Sequence, residues 1–225
     1  MNTPNYTYHD YRNPDPPKQP HYLQKLLRHL KKESHIETIL DAGCGDGNFT
    51  ASVAEVGGYK LYGVDLSSGG IGKAKTNYPQ IKFAQSSLYE DLCSPFQEVE
   101  MFDAIISVEV IEHLYSPNTY MKRANEALRP GGLLILTTPY WGYLKNILLA
   151  VTNRMDRALT ALWEGGHIKH WSYRTLRTLG EQRGFEFIAF EGAGPRTIPF
   201  LWSGMLMVFR KPVASSEKIE RKPDN

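Results

Sequence analysis

Cysteine is scarce. Cys44 and Cys93 are the only two in 225 residues, and neither belongs to a CxxC pair or a stretch that reads as a disulfide framework. That scarcity predicts a reducing, cytoplasmic setting. An excess of one charge is also missing: 26 Lys and Arg stand against 24 Asp and Glu, a formal +2, so no overall balance is built for a phosphate backbone and nucleic acid is disfavoured as a partner. The opening segment "MNTPNYTYHDYRNPDPPKQP" is polar, aromatic and proline-rich, with no apolar run that reads as a signal peptide or a membrane span. No internal repeat is visible.

What is present is enough apolar residue, 41%, for one well-buried core. "HYLQKLLRHLKK" sets Tyr22, Leu23, Leu26, Leu27 and Leu30 on one helical face. Seven β-rich runs follow, alternating with helical or polar segments: "IETILDAG", "YKLYGVDL", "IKFAQ", "FDAIISVEV", "GGLLILTTP", "FEFIAFEG" and "SGMLMVFRK". Such alternation predicts an α/β fold with a mainly parallel sheet covered on both faces. The expected organisation is an N-terminal arm and first helix over 1–33, a main domain over 34–211, and a disordered, charged tail over 212–225. Between the fifth and sixth strands the connection is too long for an ordinary loop, so 139–170 is read as a helical insertion.

Strand one runs into "LDAGCGDGNFT", where Gly43, Gly45 and Gly47 allow a sharp turn and close approach to a ligand at the carboxyl edge of the sheet. Asp65 ends the second strand at that same edge, where a carboxylate can accept hydrogen bonds from both hydroxyls of a ribose. Together they point to an adenosine-containing cofactor. The spacing is not the GxGxxG of a dinucleotide site, and Asp41 and Asp46 would be unfavourable beside a pyrophosphate. S-adenosylmethionine carries no phosphate and two positive groups, so acids beside it are tolerable or useful.

Five ordered motifs, "LDAGCGDG", "GVDLS", "FDAIISVEVIEHL", "ALRPGGLLILTTP" and a "GF" before the sixth strand, resemble the class I S-adenosylmethionine-dependent methyltransferases over Ile36 to Lys211. The resemblance implies a Rossmann-like seven-stranded sheet with helices on both faces, its last strand antiparallel and inserted beside strand five. It also implies cofactor contacts from Asp41, Gly43, Gly45 and Asp65, with Cys44, Leu66, Ser87 and Ser107 as further candidates along that edge. Ser87 stands where the family often has an acid for the adenine amine. Cys44 reads as a small filler rather than a reactive thiol.

The fourth strand runs out into "SVEVIEHL", which delivers Glu109, Glu112 and His113 at i, i+3 and i+4, on one face if the chain turns helical there. Methyl transfer from a sulfonium is an in-line displacement, and an oxygen acceptor must also lose its proton. His113 is then a catalytic general base oriented by glutamates such as Glu109. Alternatively, all three ligate a divalent cation that lowers the acceptor's pKa. A third reading has Glu112 and His113 merely pinning the next helix. Late in the insertion, "EGGHIKHWS" offers His167, with His170 in reserve, before a helix that Ser172 can cap.

The ExxEH motif with a distant His resembles two metal-dependent groups, the ubiquinone-pathway O-methyltransferases and the small-RNA 3′-end 2′-O-methyltransferases. This implies metal ligation by Glu109, Glu112, His113 and His167, with Mg²⁺ as the family's ion and Mn²⁺ or Zn²⁺ as competitors for two imidazoles. From Leu144 to Trp163 the residues Leu144, Ile147, Leu148, Val151, Met155, Ala158, Leu159 and Leu162 form an apolar helical stripe, with Lys145, Asn153, Arg154, Asp156 and Arg157 elsewhere. Either this stripe packs on the protein's own core, or it forms a lid over a greasy acceptor and rests on an anionic membrane surface. Tyr140, Trp141, Tyr143 and Trp163 are candidate aromatic walls. The expected acceptor is a phenol or catechol on an apolar scaffold. The rivals are an RNA 3′ end and a catalytically silent scaffold that only binds the cofactor.

Overall fold

Near-continuous apolar runs in the central strands lead the chain into one sheet buried on both faces. The computed structural model describes residues 20–159, 161–162, 165–193 and 199–213. Seven strands, β1 (Thr38–Ala42), β2 (Lys60–Asp65), β3 (Lys82–Gln85), β4 (Phe102–Val108), β5 (Leu128–Pro139), β6 (Glu186–Ala193) and β7 (Gly204–Arg210), lie in the order β3-β2-β1-β4-β5-β7-β6. β1 to β5 pair in parallel, whereas β7 runs antiparallel between β5 and β6. The seven expected strands all form, and the last one is inserted as the resemblance implied.

Side chains of odd and even position point to opposite faces of a strand. On one face Ile39, Leu61, Ile106, Ile135, Leu206 and Val208 pack under α1 (Pro20–Leu30), α2 (Asn48–Gly57) and α3 (Ser68–Asn77). On the other, Leu40, Tyr62, Ile105, Leu136, Met207 and Phe209 pack under α4 (Pro117–Ala127) and α7 (Tyr173–Gln182). The first helix packs on the main core through Leu26, Leu27 and Leu30. A cluster of charge also ties it to β6: Lys25 and His29 reach the Glu191 carboxylate at 2.9 and 2.7 Å.

The insertion is not one continuous helix. α5 (Tyr143–Val151) and α6 (Met155–Leu159) are separated by a turn at which Asn153 takes φ 53°. Neither helix buries a residue. Val151 is 80% exposed and Leu162 100%, so the stripe does not pack into the core. Tyr140 and Trp141 are buried while Tyr143 is exposed; Trp163 and the expected arm and most of the expected tail lie outside the described residues. Ser172 caps α7 as expected, its hydroxyl accepting from the Thr175 amide in a capping box. Among the described residues no helix is long and apolar enough to cross a membrane.

Candidate active site

The glycine loop sits where β1 meets α2, and its backbone explains its composition. Gly43, Gly45 and Gly47 have φ of 88°, 56° and 79°, a region that side chains with a Cβ rarely adopt. Gly43 has a second constraint: a Cβ there would run into the Val110 side chain. Val110 thus closes directly over the loop and fixes the spacing between it and the turn after β4.

Asp65 ends β2 beside this loop. Its carboxylate accepts the Gly45 amide at 2.9 Å and the Ser67 amide at 2.8 Å. Burial raises its pKa, and the amide hydrogen bonds pull it back. Asp41 is more deeply buried and accepts the Thr50 hydroxyl at 2.6 Å. Burial, opposed by that hydrogen bond, and the charge of Asp65 push it up to about 7.

The other expected cofactor contacts divide. Leu66 is 58% exposed at the loop edge, and Ser87 Oγ accepts the Tyr89 amide at 3.2 Å. Ser107 is buried and its hydroxyl donates to the Ala42 carbonyl at 2.7 Å, a link between β4 and β1. Cys44 is buried, and burial first, then the charge of Asp41, raises its thiol pKa far above the ordinary value. It packs against Gly63 as a filler.

At the end of β4 the backbone turns abruptly. Glu109 takes φ 56°, a left-handed conformation that costs a non-glycine residue on the order of 1 kcal/mol and is often found at functional sites. Its amide donates to the Thr137 carbonyl and hydroxyl at 3.2 and 3.1 Å. A single 3-10 turn, Ile111–His113, follows. The insertion returns onto that turn: the amides of Ile168 and Lys169 both donate to the Glu112 carbonyl, at 3.0 and 2.9 Å.

This return brings Glu112, His113 and His167 together, with one ligand atom from each lying within 4.8 Å of the others. Glu112 is 1% exposed, and neither carboxylate oxygen has a partner in good hydrogen-bond geometry, although the Thr138 hydroxyl and its own amide lie near enough to stabilise the charge a little. Leaving such a group unpaired costs several kcal/mol if it is ionised. Burial, then the charge of Glu109, raises its pKa well above the carboxylate range. His113 Nδ1 lies 3.0 and 3.2 Å from the carbonyls of Gly165 and Gly166. Those carbonyls can only accept, so Nδ1 carries the hydrogen and Nε2 keeps its lone pair, 4.0 Å from Glu112 Oε1. Burial lowers the His113 pKa, and burial with the neighbouring His113 lowers that of His167 to about 4.

Both imidazoles are therefore neutral at pH 7, as ligation requires. The fixed Nδ1–H on a backbone carbonyl is the arrangement that orients a metal-binding histidine. His170 stands apart, its ring 4.4 Å from that of Trp141. Glu109, expected among the ligands, lies outside the group of three. Its carboxylate accepts the Thr137 hydroxyl at 3.1 Å. Sequence patterning passed over Thr137 within an apolar strand; nothing local in that segment points to a carboxylate so distant in the chain.

Residues 14–189 match the family described as a methyltransferase domain. The chain belongs to that family. This methyltransferase domain is 34% identical over 105 residues to the ubiquinone biosynthesis O-methyltransferase of Cereibacter sphaeroides, a match covering 44% of this chain and 40% of that protein. The methyltransferase chain thus spans about two fifths of the length of the curated relatives it matches. Among solved structures it is similar to the methyltransferase domain of bacterial CtHen1, with a TM-score of 0.62 and 25% identity over 84% of this chain and 97% of that one. It also shares the fold of magnesium protoporphyrin IX methyltransferase from Synechocystis PCC 6803, solved with SAH bound, at a TM-score of 0.62 and 17% identity over 84% and 82% of the two chains.

Proposed function

We propose that this chain transfers a methyl group from S-adenosylmethionine to an oxygen of a phenol or catechol-like acceptor on an apolar scaffold, assisted by a divalent cation held by Glu112, His113 and His167. The observation that carries the reading is Glu112: a buried carboxylate with neither oxygen in a well-formed hydrogen bond, with ligand atoms of two histidines close by. A structural carboxylate would be hydrogen-bonded or replaced. One carboxylate and two imidazoles fit Mn²⁺ or Zn²⁺ better than Mg²⁺, which prefers oxygen ligands. A cation bound there supplies positive charge that lowers the pKa of an acceptor hydroxyl.

The chain's own residues do the rest. Asp65 and the glycine loop hold the nucleoside end of the cofactor, and Val110 sets that loop against the catalytic turn. His113 is kept in one tautomer by the carbonyls of Gly165 and Gly166. The exposed apolar residues of α5, together with Arg154 and Arg157, support a lid that meets a lipidic acceptor or an anionic membrane surface.

The test is a screen of catechols, polyprenyl phenols and RNA 3′ ends with labelled S-adenosylmethionine, with and without chelator and added Mn²⁺, Zn²⁺ or Mg²⁺. Chelator-sensitive methylation of a phenol or catechol is the expected result. Methylation of RNA ends alone transfers the same metal chemistry to a ribose hydroxyl. Cofactor binding without any transfer leaves a silent scaffold.

A further inference from the structure

His167 reaches the cation site on a segment that has few side chains to hold it. Upstream, α5 and α6 bury no residue. Downstream, Ile168 is 41% exposed and His170 is exposed as well. Among the described residues of 165–171, Trp171 is the apolar side chain that packs against the core. It follows His167 by four positions.

Trp171 makes two hydrogen bonds across the fold. Its indole N–H donates to the Ile111 carbonyl at 3.4 Å, in the 3-10 turn that also carries Glu112 and His113. Ile111 is itself 1% exposed, so the accepting carbonyl belongs to a residue fixed in the core. The Trp171 carbonyl accepts the Trp141 amide at 2.9 Å, which ties the end of the insertion to its beginning just after β5. The next carbonyl of the turn, that of Glu112, takes the amides of Ile168 and Lys169. Two successive carbonyls of one turn therefore hold the return segment, one through its backbone and the other through the Trp171 side chain.

We propose that Trp171 is a positioning residue of the cation site, which anchors the return segment on the Ile111 carbonyl and so keeps His167 beside Glu112 and His113. The inference rests on the metal-assisted reading above. A histidine on an unanchored segment samples many positions, and an ion that has to order it binds more weakly in proportion to the fraction of time the ligand is in place. With Trp171 docked, that ordering is complete before the ion arrives.

Two variants test this. Trp171→Phe deletes the indole N–H and keeps a packed ring; Trp171→Ala removes the anchor. The readout is Mn²⁺ affinity of the full chain, followed by electron paramagnetic resonance of the free ion, alongside S-adenosylmethionine affinity. Loss of one hydrogen bond should weaken Mn²⁺ binding ~3- to 10-fold in Trp171→Phe. Trp171→Ala should weaken it ~10- to 100-fold, the range for lost support of a metal ligand, and cofactor affinity should stay within about twofold in both. Because Trp171 acts through His167, introducing either change into His167→Ala should cause no further loss. If folded Trp171→Phe binds Mn²⁺ as tightly as the wild-type chain, or weakens it equally in both backgrounds, the inference is overturned while the cation site stands. Should Trp171→Ala fail to fold, Trp171→Phe and its combination with His167→Ala decide. If the wild-type chain binds no divalent ion at all, the underlying reading falls and the inference with it.

Discussion

The carbonyl of Glu112 accepts the amide of Ile168 at 3.0 Å. This seam joins the turn after β4 to the far end of the insertion, and it carries His167 to His113, whose ring centroids stand 5.0 Å apart. Movement of the insertion therefore moves one of the proposed ligands.

Glu112→Gln, His113→Ala and His167→Ala should each lower methyl transfer on the order of 10²-fold or more, the scale of a lost metal or general-base contribution. S-adenosylmethionine affinity should stay within about twofold, because the glycine loop and Asp65 are separate contacts. Calorimetry beside a labelled-methyl assay separates the two effects. If transfer survives exhaustive chelation while His113→Ala abolishes it, His113 is a general base instead.

Asp65→Ala should weaken S-adenosylmethionine binding severely. Charge-assisted hydrogen bonds to a ribose contribute ~1.5–3 kcal/mol each, and the variant also loses the acceptor that holds the Gly45 amide. Unchanged affinity by calorimetry would remove Asp65 from the cofactor site.

Asp41 should make the cofactor-free protein less stable as pH rises. Its folded pKa is pushed up to about 7 by burial from an ordinary 3.8. Between these values the unfolded chain has released the proton and the folded chain retains it, so unfolding becomes easier with increasing pH, by up to ~1.4 kcal/mol per unit for one proton. Asp41→Asn should flatten that slope. Denaturant melts from pH 4.5 to 7 measure it, and identical slopes for the two proteins would show that Asp41 ionises normally when folded.

Leu148→Glu with Val151→Glu should leave folding intact, since both positions are exposed and surface changes usually stay within about 0.5 kcal/mol. Binding to vesicles containing anionic lipid should fall, and with it turnover of a polyprenyl phenol, while turnover of a short catechol is retained. Sedimentation of the variant with vesicles at the wild-type level would separate α5 from any membrane role.

Much of the domain could be read in sequence because its determinants are local. Short β-rich runs marked all seven strands, and the glycines of "LDAGCGDG" marked a loop whose positive φ angles only glycine tolerates without strain. Asp65 was recognisable because strand ends in such a sheet share one edge. The insertion was harder. Its apolar period predicted an uninterrupted stripe, yet the chain breaks at Asn153, and among the described residues nothing of the core covers Leu148 and Val151. Periodicity reports which side of a helix is apolar, not what covers it.

Within the candidate site, sequence alone determined the chemistry available: two carboxylates and an imidazole at the end of β4, and further histidines late in a long insertion. Tertiary structure decided which of these meet. His167 joins Glu112 and His113 while His170 packs against Trp141, because the amides of Ile168 and Lys169 are both committed to the Glu112 carbonyl. Glu109 is drawn instead to Thr137, a residue delivered by β5. Buried hydrogen bonds between segments so far apart in the chain have no local signature, and only tertiary packing brings their partners into range.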